Sequence, residues 1–418
     1  MGWRNEYVLR PTPLPSRFSG PSNGIPQPDR LQEAAPTSPS DSMVDQRLLQ
    51  PRRVHSAIGY QPPNERADDH ESHTAAYLSV QSGDRKGLSS GPAPRKHYRW
   101  IDMTVVDAVC PLMTDPESWD LYIDGDVDIG APTVANWETP SETQQLLEQW
   151  TRWIDRDDRL VAVTEPSDFD QFPSPGKLGV IIHFQNGSPL GEDLSTYEIF
   201  HRLGLRMVQL CYNFANPLGD GCLSGEDGPL TAFGRWAIRE MNRLGIVVDL
   251  SHTGRRTTMD AMRVTSAPPV FSHSNPAALT PHRRNIDDEQ IRAVADLGGL
   301  VGVVTFPAFV KPGGKGATVS DLVDHIDYLV DMIGPDQVGL GLDFCESGME
   351  MVERMIASGA WTVEDYPMGA DPRLVDLTSP DQIPRIRQEM VRRGYPSSAI
   401  DGIMGHNWID LFKRVWST

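Results

Sequence analysis

Two short phrases, Ser251-His252 and Ser272-His273, have the clearest capacity for chemistry in this chain. Each closes an apolar, β-branched run: Ile246-Val247-Val248 before the first, Val270-Phe271 before the second. The stretch between them, 257–265, has helical composition and is stopped by Pro268-Pro269. The result is a β-α-β unit with one imidazole at the carboxyl end of each strand. Parallel α/β folds bind ligands at such ends. Two imidazoles on adjacent ends can converge on one metal ion, which takes neutral histidine nitrogen at about 2.0–2.1 Å. Taken singly, each histidine reads equally well as a capping or buried polar residue; the repeated phrase is what points to a shared ion.

Further candidates surround that unit. His183 and Gln185 are two apart on an expected strand, so both point to one side of it, which in a barrel could be the interior. His183 reads either as another metal ligand or as a hydrogen-bonded interior residue. Cys110, Cys211 and Cys345 each follow an expected strand, where a thiolate could bind a soft metal or act as a nucleophile, or a small side chain could simply pack. His282-Arg283-Arg284 is a cationic cluster suited to a carboxylate or to a solvated helix start. Asp249 precedes Ser251 by two on one strand, so the two cannot face each other as a triad. Asp287-Asp288 reads as compensation of a helix dipole.

These residues need elements to hold them. Apolar β-rich runs occur at 105–109, 127–133, 180–184, 207–210, 246–250, 270–272, 300–305 and 338–343. Helical stretches alternate with them at 141–155, 195–203, 231–244, 256–264, 287–297 and 319–333. Eight strands with helical crossovers predict an α/β fold, a (β/α)8 TIM barrel. An open doubly wound sheet is the rival, but no G-x-G-x-x-G follows a strand. The stretch 348–381, rich in Met, Glu, Asp and Pro, reads as an excursion over the barrel mouth, and the closing segment as two short helices packed on the core. Residues 1 to about 97 are Pro/Ser/Gly-rich without periodicity. They cannot bury enough apolar surface to offset about 1–2 kcal/mol of ordering cost per residue, and are expected to be disordered. The expected organisation is therefore 1–97 as an arm and 98–418 as the barrel.

Composition narrows the partners. A formal charge of −19 over 418 residues argues against nucleic acid and against an anionic membrane surface. Four scattered cysteines without C-x-x-C spacing suggest a reducing compartment. With no apolar leader and no run near the roughly 18 residues of a membrane span, a cytoplasmic location is expected. A homodimer stays open.

The phrases FGRWAIREMNRLGIVVDLSH, PPVFSHSNPAALTPHRRNIDDEQIRAVADLGGLVGV and VGLGLDF resemble the membrane (renal) dipeptidase family, peptidase family M19. The resemblance covers roughly Ile101 to Val415. It implies a barrel of the amidohydrolase, metal-dependent hydrolase type, with a two-zinc centre that hydrolyses dipeptides. On that resemblance His252 and His273 match the ligands of the second metal, Asp343 the catalytic aspartate, and Arg284 the arginine that holds the substrate carboxylate. Other positions depart. Val109 and Pro111 stand where the family has a His-x-Asp pair for the first metal, Gln185 where it has the bridging glutamate, and Tyr212 where it has a histidine.

Glutamine supplies no negative charge between two dications, so a two-metal centre is not expected. One divalent ion, zinc by ligand type, remains feasible on His252, His273 and Asp343, with Gln185 or His183 as further donors; a metal-free pocket is the alternative. Asp343 and Tyr212 are the expected catalytic residues, Arg284 and Asn213 the substrate-binding ones. The expected activity is a metal-dependent, dipeptidase-like hydrolase acting on a small peptide or amino-acid-derived amide. The alternatives are a biosynthetic tailoring enzyme on the same fold and a non-catalytic peptide- or protein-binding barrel.

Overall fold

The computed structural model describes residues 103–345, 349–366 and 371–417. The arm expected to be disordered lies outside the described residues. Strands form where β-branched runs meet: β1 (Val106–Asp107), β2 (Ile129–Gly130), β3 (Thr133–Ala135), β4 (Leu160–Ala162), β5 (Leu178–Val180), β6 (Ile182–Phe184), β7 (Leu205–Gln209), β8 (Val247–Asp249), β9 (Val270–Phe271), β10 (Leu300–Val303) and β11 (Val338–Leu340). One parallel sheet runs β1-β2-β5-β4 and another β11-β10-β9-β8-β7-β6-β3. The chain passes from one to the other within 129–135 and within 178–184, so β2 with β3, and β5 with β6, are two single strands bent between sheets.

Closure comes at β11 and β1. Ala108 N donates to Leu340 O at 3.1 Å and Asp343 N to Val109 O at 3.0 Å. Between them the Asp107 carboxylate accepts from Leu342 N at 2.8 Å. Eight strands thus form a ring, the (β/α)8 barrel expected from the alternating pattern. β4 is an addition outside the ring: a three-residue strand beside β5, too short to stand out from its charged surroundings.

The crossover helices have capping chemistry at their starts. Thr139 with Glu142, Asp287 with Gln290 and Thr318 with Asp321 form capping boxes for the helices Pro140–Arg156, Asp288–Asp296 and Val319–Ile333. The acidic pair at 287–288 therefore acts on the helix, as its sequence suggested. Gly245, in the left-handed region at φ 72°, ends Ala232–Leu244 and sends the chain straight into β8. The excursion expected over the mouth contributes the helix Met349–Ala357 and buried Trp361 and Tyr366. Among the described residues no helix is long and apolar enough to cross a membrane.

Candidate active site

Strand carboxyl ends bring the sequence-predicted residues together, but not into one cluster. Gln185, Tyr212, His252 and Asp343 line a single cavity of about 240 Å³. Arg284 lines a second cavity of about 190 Å³, which shares His252 with the first. His273 and Asn213 lie fully buried behind His252. His183 is fully buried too, with Nε2 3.5 Å from the Asp249 carboxylate, so its neighbour there is a carboxylate.

The backbone aims three of these side chains by an uncommon route. Asn213, His252 and Asp343 all have left-handed φ, of 60°, 58° and 57°. Non-glycine residues seldom adopt that conformation, and it clusters at functional sites. Here it turns side chains at three strand ends inward.

Hydrogen bonds fix both imidazoles of the pair. Asn213 Nδ2 donates to Ala360 O at 3.0 Å, which turns its Oδ1 toward His252 Nδ1 at 2.7 Å. That nitrogen must then carry the proton. Ser272 Oγ donates to Asp249 Oδ2 at 2.6 Å and accepts from His273 Nδ1 at 2.6 Å. Both rings are thereby Nδ1–H tautomers, and their bare Nε2 atoms face each other 2.9 Å apart. Two lone pairs at that distance repel unless a cation, a proton or a metal ion, lies between them. Burial first, then the Arg284 charge, pushes both histidines well below their usual pKa, which keeps them neutral as ligands must be.

The donor set decides what could be held. A two-ion centre does not fit: Val109 and Pro111 offer no donor side chain and Gln185 is neutral. A single ion fits the His252 and His273 Nε2 pair. Among the described residues no three His, Cys, Asp or Glu side chains gather to hold an ion by themselves, so the rest of its shell would come from solvent, substrate or neutral oxygen. The cysteines are free, and burial pushes Cys110, Cys211 and Cys345 well above the usual thiol range. Burial thus favours the thiol form at all three.

Asp343 has the electrostatics of a proton carrier. Burial raises its carboxyl to about 7, against the lowering influence of Arg284 and of Gln185 Nε2, which donates to Asp343 Oδ1 at 3.3 Å. Asp107 adds to the rise. Tyr212 stacks on His252, ring centroids 4.2 Å apart. Its oxygen accepts from Trp361 Nε1 at 2.9 Å, which leaves the phenolic proton free to donate. Arg284 is 2% exposed; its Nη2 donates to His273 O at 3.1 Å, while Nε and Nη1 have no hydrogen-bond partner among the described residues.

Sequence reasoning missed Asp249, Ser272 and Asp107. Asp249 does not face Ser251 as a triad member would; its carboxylate reaches the next strand and orients His273 through Ser272. Burial would raise its pKa, but His183, His273 and Ser272 pull it below the usual carboxylate range. The signal was a lone acid inside the apolar run Val247-Val248-Asp249-Leu250; the same signal marks Asp107 in Val105-Val106-Asp107-Ala108.

Comparison with known proteins bears on the family and the fold. The family described as membrane dipeptidase (peptidase family M19) matches residues 117–358. An uncharacterized dipeptidase of Schizosaccharomyces pombe is 33% identical over 58% of this chain and 54% of its own length. A dipeptidase of Claviceps purpurea is 30% identical over 62% of this chain and 56% of its own. The chain thus spans little more than half of these curated relatives. An amidohydrolase of Pseudomonas aeruginosa is 30% identical, covers 76% of this chain and 98% of its own, and superposes with a TM-score of 0.69. A metallopeptidase of Rhodobacter sphaeroides, 21% identical over 75% of this chain and 99% of its own, shares the fold with a TM-score of 0.63. The residues matched, together with the barrel and its strand-end histidines, place this chain in the membrane dipeptidase family, peptidase family M19.

Proposed function

We propose that this protein is a dipeptidase-like hydrolase that cleaves the amide bond of a small peptide or an amino-acid-derived amide. The observation that carries this is the convergence of Asp343, Tyr212 and His252 on one cavity at the strand ends. A general base works best with a pKa near the operating pH, and Asp343 at about 7 has one. It takes the proton of an attacking water and delivers it to the leaving amine. Tyr212, kept protonated by burial, donates its free O–H to the oxyanion that develops on the carbonyl. Arg284 offers Nε and Nη1 to the substrate carboxylate, on the far side of His252.

His252 and His273 would hold one divalent ion, zinc by ligand type, which when bound polarises a carbonyl or acidifies water. Membership of a metallopeptidase family and the paired tautomers support it; the lack of a third His, Cys, Asp or Glu ligand among the described residues limits its affinity. Four free cysteines and a net charge of −19 support a cytoplasmic protein without nucleic-acid or membrane partners. Val109, Pro111 and Gln185 favour a second reading, altered chemistry on an amino-acid-derived molecule. Incubation of the full chain with a dipeptide panel, with and without added zinc, separates the two. Free amino acids are expected, and Asp343→Asn is expected to abolish them. Intact dipeptides throughout, with a chemically altered product from one of them, would establish the second reading instead.

A further inference from the structure

The cavity that holds Asp343 has polar residues, Thr114, Asp115, Thr133, Asn136 and Arg354 among them, and a continuous apolar wall. Gln185, His252 and Asp343 line it too, while Phe306, Phe309, Met351, Met355 and Trp361 form much of the wall. Met351 and Met355 are one helical turn apart on Met349–Ala357, so one face of that helix is laid along the cavity. Trp361 is fixed rather than loose. It stacks on Tyr366 at 4.1 Å with an 8° interplanar angle, meets Phe306 edge-on at 5.7 Å, and is tied by its indole to Tyr212. At the rim Trp137 is 46% exposed, a large aromatic left in water, with its ring edge-on to Tyr212 at 5.1 Å. Pro111 and Leu112 complete the apolar side where β1 ends.

We propose that this cavity selects an amide in which one residue has a large apolar side chain, aromatic or long aliphatic. This rests on the hydrolase reading above and names its substrate class. A rigid aromatic wall recognises such a group by area, and the thioethers of Met351 and Met355 adapt to its shape. Asp115 and Arg354 bring one charge of each sign to the lining, so the apolar area rather than net charge sets the preference. At about 240 Å³ the cavity is below the roughly 300–1,000 Å³ usual for ligand sites, which suits one such residue and its amide rather than a longer peptide.

The test uses the full chain and matched dipeptides: Gly-Gly, Phe-Gly, Gly-Phe, Leu-Gly, Gly-Leu, Asp-Gly and Gly-Asp. Both dissociation constants and hydrolysis rates are measured. Burying a side chain of this size corresponds to about 10- to 100-fold, so one Phe or Leu peptide of the set should bind that much better than Gly-Gly and better than its Asp counterpart. The double variant Met351→Ala, Met355→Ala should shrink the Leu over Gly ratio at least about threefold. Preference in binding without hydrolysis keeps the proposal and overturns the hydrolase reading. Hydrolysis with equal constants for Gly, Leu and Asp peptides overturns the proposal and keeps that reading. An unchanged ratio in the double variant also overturns it, and absence of any binding overturns both.

Discussion

Replacing Arg284 by methionine separates a ligand-binding role from a structural one. The guanidinium is 2% exposed, and two of its donor nitrogens have no hydrogen-bond partner among the described residues. A buried donor left unpaired costs about 1–3 kcal/mol, and more when charged. Against this stand one hydrogen bond to His273 O and a position 5.2 Å from the centre of the Phe309 ring, together about 1–3 kcal/mol. Methionine keeps the packing against Phe309 and removes the unpaired charge, so the ligand-free protein should melt at the same temperature or a higher one. Ligand binding should move the other way. A hydrogen bond to a charged group contributes about 1.5–3 kcal/mol, a factor of about 10 to 150. The native chain should therefore prefer a dipeptide over its carboxamide by that factor, and Arg284→Met should prefer neither by more than about threefold. Calorimetric melting and paired titrations measure both. Loss of more than about 2 kcal/mol of stability, with carboxylate preference intact, would refute the reasoning and make Arg284 structural.

Three other outcomes follow from the same geometry. Burial raises Asp107 and Asp343 to about 7 in the folded chain, above their unfolded values. Their contribution is present in full below the unfolded carboxylate range and lost as pH rises through about 7, so melting temperature should fall between pH 4 and 7, less steeply in Asp343→Asn, while kcat/KM rises on the acid side with a midpoint near 7. Elemental analysis should find at most one divalent ion per chain, removed by His252→Ala or His273→Ala alone with no further loss in the double variant; two ions at the barrel mouth would contradict the consequence drawn from Val109, Pro111 and Gln185. A Cβ at Gly341 would overlap the Ser272 carbonyl oxygen, so Gly341→Ala should destabilise by about 3 kcal/mol or more in chemical denaturation.

The ring of strands was legible because most are short β-branched runs alternating with helical stretches, several of which have their own start and stop signals. That pattern depends on local sequence, which a reader of the chain has in full. The histidine pair was legible for a related reason, since Ser251-His252 and Ser272-His273 fall at the same place on consecutive strands. What was not legible depends on which strand lies beside which, and at what height. Asp249 could be excluded from facing Ser251 by strand geometry alone, yet its actual partner, Ser272, is on the neighbouring strand. That Arg284 lines a different cavity from Asp343, with His252 lining both, was likewise hidden, because the two positions are 59 residues apart in sequence. The aromatic wall combines Phe306 and Phe309, just after β10, with Trp361 and Tyr366 from the excursion, two segments whose meeting no local pattern announces.

Asp107 shows why closure and chemistry share the same atoms. Between β11 and β1 the ladder lacks a backbone acceptor for Leu342 N, and the Asp107 carboxylate supplies one at 2.8 Å. The next residue, Asp343, is held by Val109 O at 3.0 Å and enters the left-handed region at φ 57°. Such a backbone persists only where its surroundings over-determine it. The grip on both sides of the peptide does so, and it aims the Asp343 carboxyl into the cavity. The other Asp107 oxygen is buried without a hydrogen-bond partner among the described residues, and burial raises this acid as it raises Asp343. The acid that closes the barrel also contributes to the environment that keeps Asp343 near neutrality. An acid within an apolar strand is therefore explained here by closure and by the site together, which is why neither role could be read from its own segment.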